Sequence, residues 1–169
     1  MYGKSKLAGE KAIKNINQTH AIIIRTSWLY SEYNNNFLKK ILKLSEDRSL
    51  INVVSDQISS PTYAGDLAKA IIDIINNKEF KNEKNYTEIY HYSNEGYVSR
   101  YEFVKEVFKL LDKNCYIKPI NTKQFKSLAK RPKKTLLDKR KIIKKFDLKI
   151  VSWKDSLKKC LKIIIPELN

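Results

Sequence analysis

The sequence predicts an α/β fold in its first part and a more helical, irregular arrangement in its second. Short apolar runs suited to strands, AIIIR, LINVV and EIYHYS, alternate with amphipathic stretches. Capping residues stand before several of those stretches, and no Pro-, Gly- or Ser-rich linker or internal repeat divides the chain. At 169 residues the chain is long enough for a real core, since about 150 residues bury roughly 68–70% of the unfolded surface.

Taken in order, KSKLAGEKAIKNI reads as a helix, and AIIIRTSW reads as a buried strand that leaves Thr26, Ser27 and Trp28 at its C-terminal end. Ligands of open α/β sheets bind at such ends. NFLKKILKLSED is amphipathic, with Phe37, Ile41 and Leu44 on one stripe. LINVV is a strand, and Thr62 is placed to cap GDLAKAIIDIINN. After the strand EIYHYS, Ser99 and Glu102 form a capping box for YEFVKEVFKLLD, and Ser152 with Asp155 offers a second one before WKDSLKKCLKIII. The stretch from Lys118 to Arg140, with Pro119 and Pro132, reads as basic and irregular.

Thirty-four Lys and Arg against 18 Asp and Glu give a formal charge of +16, which raises nucleic acid as a partner. The lysines are spread over nearly every helix, as in FLKKILKL, DKRKIIKKF and LKKCLKIII, and no nucleic-acid motif accompanies them. A solvated basic surface is therefore the favoured reading. No apolar run approaches the ~18–20 residues of a membrane span, and no signal-peptide stretch opens the chain, so a soluble, cytoplasmic protein is expected. Cys115 and Cys160 lack metal-ligand spacing and read as reduced thiols. His20 and His91 are isolated, which gives no metal site. The four glycines, Gly3, Gly9, Gly65 and Gly96, fall into neither G-x-G-x-x-G nor a P-loop, so no standard phosphate loop is present.

The candidate chemistry lies in MYGKSKLAGEK. Tyr2 and Lys6 stand at i and i+4, on one helix face. A phenol near pKa 10 acts as a general acid toward a carbonyl only when a neighbouring cation lowers it. The spacing alone is weak, because Tyr101 and Lys105 repeat it inside YEFVKEVF. Context separates the two pairs. Gly3, Ser5, Ala8 and Gly9 around Tyr2 allow close approach of another backbone or a ligand, whereas Phe103, Val104, Val107 and Phe108 around Tyr101 read as core.

YGKSKLAGE, RTSWLY with NNNF after it, VVSDQISSPT, AKRPKKTLLD and FDLKIVSWKDSLKKCL resemble, in order, landmarks of the dTDP-4-dehydrorhamnose reductase family. That family lies within the extended short-chain dehydrogenase/reductase superfamily. The match runs over essentially the whole chain but corresponds to the C-terminal part of such an enzyme. It implies the end of a Rossmann-like NAD(P)-binding fold (residues 1–30) followed by a small α+β substrate-binding region (residues 31–169). Tyr2 would protonate the 4-keto oxygen of the dTDP-sugar as NADPH, or NADH, delivers hydride. Lys6 would hold the nicotinamide ribose and lower the tyrosine pKa. Thr26 and Ser27 would lie near the nicotinamide, with Trp28 by the sugar. Asn36, Asp56, Gln57 and Thr62 would line the sugar-nucleotide side, and Arg131 would pair with the diphosphate.

Ser59 and Ser31 stand where the family pattern has glycine, and Lys134 with Thr135 replaces Asn-Ser. Loss of glycine is expected to disturb a left-handed backbone position, and the basic replacement to change nucleotide contacts. Two classes of function follow. One is a reductase part inactive without a cofactor-binding half, which would lie in another chain or in an unseen part of the gene product. A related nucleotide-sugar reductase or epimerase belongs to this class. The other is a non-catalytic remnant or basic binding module. The strand AIIIR is expected to expose an edge, to be covered by that missing half or by a second copy in a homodimer.

Overall fold

Residues 2–16, 21–82, 87–125 and 131–165 are described in the computed structural model of the chain. The β-branched run Ala21–Arg25 forms β1, which pairs in parallel with β6 (Thr87–His91) in the register Ala21↔Thr87 to Arg25↔His91. The pair thus joins residues on both sides of residue 30. Between the two strands lie β2 (Leu29–Tyr30), α2 (Phe37–Asp47), β3 (Leu50–Val54), β4 (Ile58–Ser59), β5 (Thr62–Tyr63), α3 (Ala64–Asn76) and α4 (Lys78–Lys81). After β6 come β7 (Val98–Ser99), α5 (Arg100–Leu110), β8 (Tyr116–Ile120), β9 (Lys134–Thr135), α6 (Arg140–Phe146) and α7 (Trp153–Ile164). Before β1 runs α1 (Tyr2–Asn15). β2 pairs with β5 and β3 with β8, both in parallel, while β4 lies between antiparallel β7 and parallel β9. None of the helices among the described residues is long and apolar enough to cross a membrane.

Among the described residues, two apolar clusters form the interior. The larger packs α2, β3, α5 and α7 around Tyr30, Tyr63 and Phe103, with Phe103 edge-on to Tyr30 at 5.5 Å between ring centroids. The smaller packs α3, β6 and α6 through Ile74, Tyr90, Ile142 and Phe146, with Ile22 and Ile24 of β1 against it. The predicted stripe of α2 is rotated, since Leu38, Ile41 and Leu42 are the buried residues. The Ser99–Glu102 capping box is complete. Ser152 caps α7 by accepting from the Asp155 N–H, but its hydroxyl, not its backbone N–H, donates to the Asp155 carboxylate, so that box is only half formed. The described parts of the stretch 118–140, residues 118–125 and 131–140, are more regular than expected. They hold the end of β8, with Pro119 opposite Val53, then β9 and the start of α6. Pro119 is tolerated because β8 has one neighbour among the described residues, so the missing N–H is not needed on the outer edge.

The substitutions of glycine cause no strain. Ser59 lies in β4, fully buried, and its hydroxyl donates to the Thr135 carbonyl at 2.8 Å. Neither Ser59 nor Ser31 has a positive φ. Gly96 does, at +83°, and a Cβ there would lie 3.0 Å from the Trp153 ring.

The far side of β1 is open. Among the described residues β6 is its one partner, and α1 reaches it through Arg25, whose guanidinium holds Glu10 at 2.6 and 2.8 Å. That guanidinium keeps the Glu10 carboxyl below its usual range. Apart from Glu10, every described side chain of α1 is exposed, including Leu7 (45%) and Ile13 (38%).

The clusters are joined by buried polar groups centred on Asn94, which is fully buried. Its carbonyl oxygen accepts from the Tyr63 N–H, and its amide donates to Asp66, to Ser156 and to the Val151 carbonyl. Asn94→Ala is expected to cost about 2–4 kcal/mol, because several buried groups lose their partner at once. The midpoint of urea unfolding should fall by about 1 M or more. Lys69→Ala, which removes an exposed i,i+4 pair with Asp73, should change stability by about 0.5 kcal/mol at most.

Candidate functional site

Where β1 ends, the chain turns over the segment before α3. The Thr26 hydroxyl bonds that of Thr62 at 2.9 Å, and the Ser27 hydroxyl donates to the Ser60 carbonyl at 2.8 Å. Trp28 adopts a left-handed backbone, φ +44°, and its carbonyl accepts from the Thr62 N–H at 3.2 Å. A positive φ is rare for a bulky residue and costs energy, so the β2–β5 pairing that follows must hold it. Thr62 does not cap α3 as the sequence suggested. The N-cap is Tyr63, without a side-chain cap, and Thr62 is fully buried against Thr26. Thr26, Ser27, Trp28 and Thr62 therefore meet at the C-terminal end of a parallel strand.

Trp28 leads to a residue that sequence reading missed. The Arg100 guanidinium lies 4.4 Å from the Trp28 ring centroid and 4.7 Å from that of Phe37. Its Nε is sealed from solvent and has no hydrogen-bond partner among the described residues. Burial, and then the charge of Arg131, lower Arg100 to about 10, so it stays protonated at neutral pH. Nothing around Arg100 in the sequence marks it, because its position follows the Ser99 cap and reads as an ordinary first helical residue. Arg131 is exposed.

The other predicted residues have clear structural occupations. Asn36 is the N-cap of α2, accepting from the Lys39 N–H, and its amide donates to the Ser31 carbonyl at 2.7 Å. Asp56 accepts from the Thr122 hydroxyl at 2.6 Å and the Thr122 N–H at 2.8 Å, and Gln57 donates to the same hydroxyl. The DQ pair thus holds the turn after β8. Tyr101 packs half-buried against the larger cluster while Lys105 is exposed, as the core reading of that pair expects.

Tyr2 opens α1 with Lys6 one turn on and exposed, and Glu10 a further turn along binds Arg25, next to Thr26. The two ends of a nicotinamide dinucleotide differ in how they fit the described residues. Hydroxyls and a lysine suit its nicotinamide-ribose end. A pyrophosphate cradle would need glycine backbone at a strand-to-helix turn. Gly3 and Gly9 lie within α1, Gly65 sits beneath the Tyr63 ring, and Gly96 sits beside Trp153. Cys115 and Cys160 are buried free thiols. Burial and the Glu32 carboxylate push the Cys160 thiol up to about 12, which makes it a poor nucleophile. His91 sits in β6, whereas His20 lies outside the described residues.

The model of the RmlD substrate binding domain matches residues 1–165. A dTDP-4-dehydrorhamnose reductase of Aggregatibacter actinomycetemcomitans is 38% identical over 164 residues, 94% of this chain and 55% of that protein. The spore coat polysaccharide biosynthesis protein SpsK of Bacillus subtilis is 35% identical over 96% of this chain and 54% of its own length. A crystal structure of dTDP-4-dehydrorhamnose reductase from Bacillus anthracis in complex with NADP superposes with a TM-score of 0.84 at 36% identity, covering 95% of this chain and 54% of that one. UDP-glucuronic acid 4-epimerase from Bacillus cereus, at 19% identity and a TM-score of 0.75, shares the fold. The chain spans about half the length of the curated relatives it matches, and its α/β fold corresponds to their C-terminal portion.

The Asp56–Thr122 contact has a measurable signature. The Thr122 hydroxyl and N–H hold the Asp56 carboxyl below its usual range, so its contribution to stability is complete above the unfolded value of about 4 and is lost as pH falls through the folded value. Asp56→Asn should be less stable than the parent in urea at pH ~6, and the gap should narrow toward pH ~3. A gap independent of pH would contradict an ionised Asp56 holding the turn.

Proposed function

The chain belongs to the RmlD substrate binding domain family, and we propose that it supplies the sugar-nucleotide side of an NADPH-dependent reductase that converts dTDP-4-dehydro-L-rhamnose to dTDP-L-rhamnose. The observation that carries this reading is the meeting of Thr26, Ser27, Trp28 and Thr62 at the end of β1, beside a strand edge and a helix that have no cover among the described residues. Residues 1–30 act as the end of the cofactor-binding domain and residues 31–169 mainly as the substrate region. The half that holds the cofactor's phosphates packs on α1 and the free edge of β1, whether joined in one polypeptide or supplied by another.

The nicotinamide cofactor, when bound, supplies hydride to the sugar's C4. Tyr2 gives its phenolic proton to the 4-keto oxygen, so the carbonyl becomes a hydroxyl. The Lys6 ammonium favours the phenolate left behind and bonds the nicotinamide ribose. Thr26 and Ser27 border the nicotinamide, and Trp28 covers one face of the sugar. Asn36, Asp56, Gln57 and Thr62 hold the backbone of the sugar-nucleotide pocket, and Arg131 takes the diphosphate as a charge-assisted pair.

The test is NADPH oxidation with dTDP-4-dehydro-L-rhamnose. A protein that joins residues 1–169 to the N-terminal half of a relative should be active, and Tyr2→Phe in it should lower kcat by about 100-fold or more. The 169-residue chain alone should show negligible turnover. An ordinary rate from the chain alone, or from the Tyr2→Phe protein, would overturn the reading.

A further inference from the structure

Arg100 is a cation with an unusual setting. Its guanidinium carbon lies over the rings of both Trp28 and Phe37, at 4.4 and 4.7 Å from their centroids, which restrains the fork before any ligand arrives. Among the described residues it has no ion pair with a carboxylate, and its Nε is buried without a partner. The charge that acts on it most is another cation, Arg131. A half-buried guanidinium with no acid paired to it among the described residues leaves an unbalanced positive charge. Removing a charge from water without a partner is costly. Stacked and pre-oriented donors, by contrast, lose little side-chain freedom when an anion binds.

We infer that Arg100 is a second, restrained donor to the diphosphate that Arg131 is proposed to take, and that it ties diphosphate binding to the position of Trp28. The inference rests on the sugar-nucleotide reading above, and it adds to it a residue and a coupling. Trp28 carries Arg100 on its ring and lies next to Ser27 in the chain, so an anion that draws on Arg100 also holds the left-handed turn between strand end and sugar site. Arg131, exposed, contributes charge; Arg100 contributes direction.

Calorimetric titration of the 169-residue chain with dTDP, inorganic pyrophosphate and thymidine separates these roles. dTDP and pyrophosphate should bind, with thymidine far weaker. Arg100→Met should weaken both anions by about 10- to 100-fold, as expected for loss of hydrogen bonds to a charged group. Arg100→Lys, which keeps the charge and the stem but not the fork, should lose about half of that effect on a logarithmic scale. It serves as the test should Arg100→Met fail to fold. Equal dTDP affinity in the parent and in a folded Arg100 variant would overturn the inference and leave the proposed function standing. Pyrophosphate binding that depends on Arg100, with no gain from the thymidine part, would uphold the anion site and overturn the sugar-nucleotide reading. Displacement of bound pyrophosphate by NADP but not by dTDP would assign the site to the cofactor and overturn the proposal.

Discussion

The Asn94 carboxamide sits where the two apolar clusters meet, and the positions of the surrounding elements follow from its bonds. It fixes the N–H of Tyr63 at the start of α3, the Asp66 carboxylate one turn on, Ser156 of α7 and the backbone at Val151. Asp66 accepts in addition from the Ser156 hydroxyl at 2.5 Å. A buried network of this kind is favourable only when its members are satisfied together. It therefore specifies one arrangement of α3 and α7 where apolar packing alone would tolerate several.

That constraint reaches the functional site in two bonds. Tyr63 is held by Asn94; Thr62, the residue before it, bonds Thr26 at the end of β1. The strand end, the left-handed Trp28 and the stacked Arg100 are thus built on a segment anchored from behind. The opposite side of β1 is different in kind. Parallel sheets are normally covered on both faces, yet here α1 is held to the sheet by the Arg25–Glu10 pair while Leu7 and Ile13 face outward. An anchored strand end next to a sparsely covered helix and strand edge fits a chain that spans about half the length of its relatives.

Local signals in the sequence were enough for features governed by neighbours in the chain. The Ser99–Glu102 box, the helices after Asn36 and Ser152, and the strands at AIIIR and LINVV follow from capping chemistry and β-branched runs. What escaped depended on distant partners. Pro119 argued against a strand until β3 offered an edge that needs no N–H at that position. Thr62 has the residue type of a cap, but its hydroxyl is taken by Thr26, 36 residues away. Arg100 is one of many basic residues, and only the stacking on Trp28 and Phe37 distinguishes it. The Tyr–Lys spacing carries no signal by itself, since Tyr101 and Lys105 repeat it where Tyr101 packs against the larger cluster.

The proposal that α1 and the outer edge of β1 form a seam for a cofactor-binding half is open to amide hydrogen exchange, measured on the chain alone and on the chain joined to that half. Amides of α1 and β1 should exchange quickly in isolation, while those of α5 and α7 stay protected, because little buried apolar contact holds the first pair. In the joined protein α1 and β1 should gain protection approaching that of α5. Protection of α1 in the isolated chain equal to that of α5, with no change on joining, would contradict the existence of the seam.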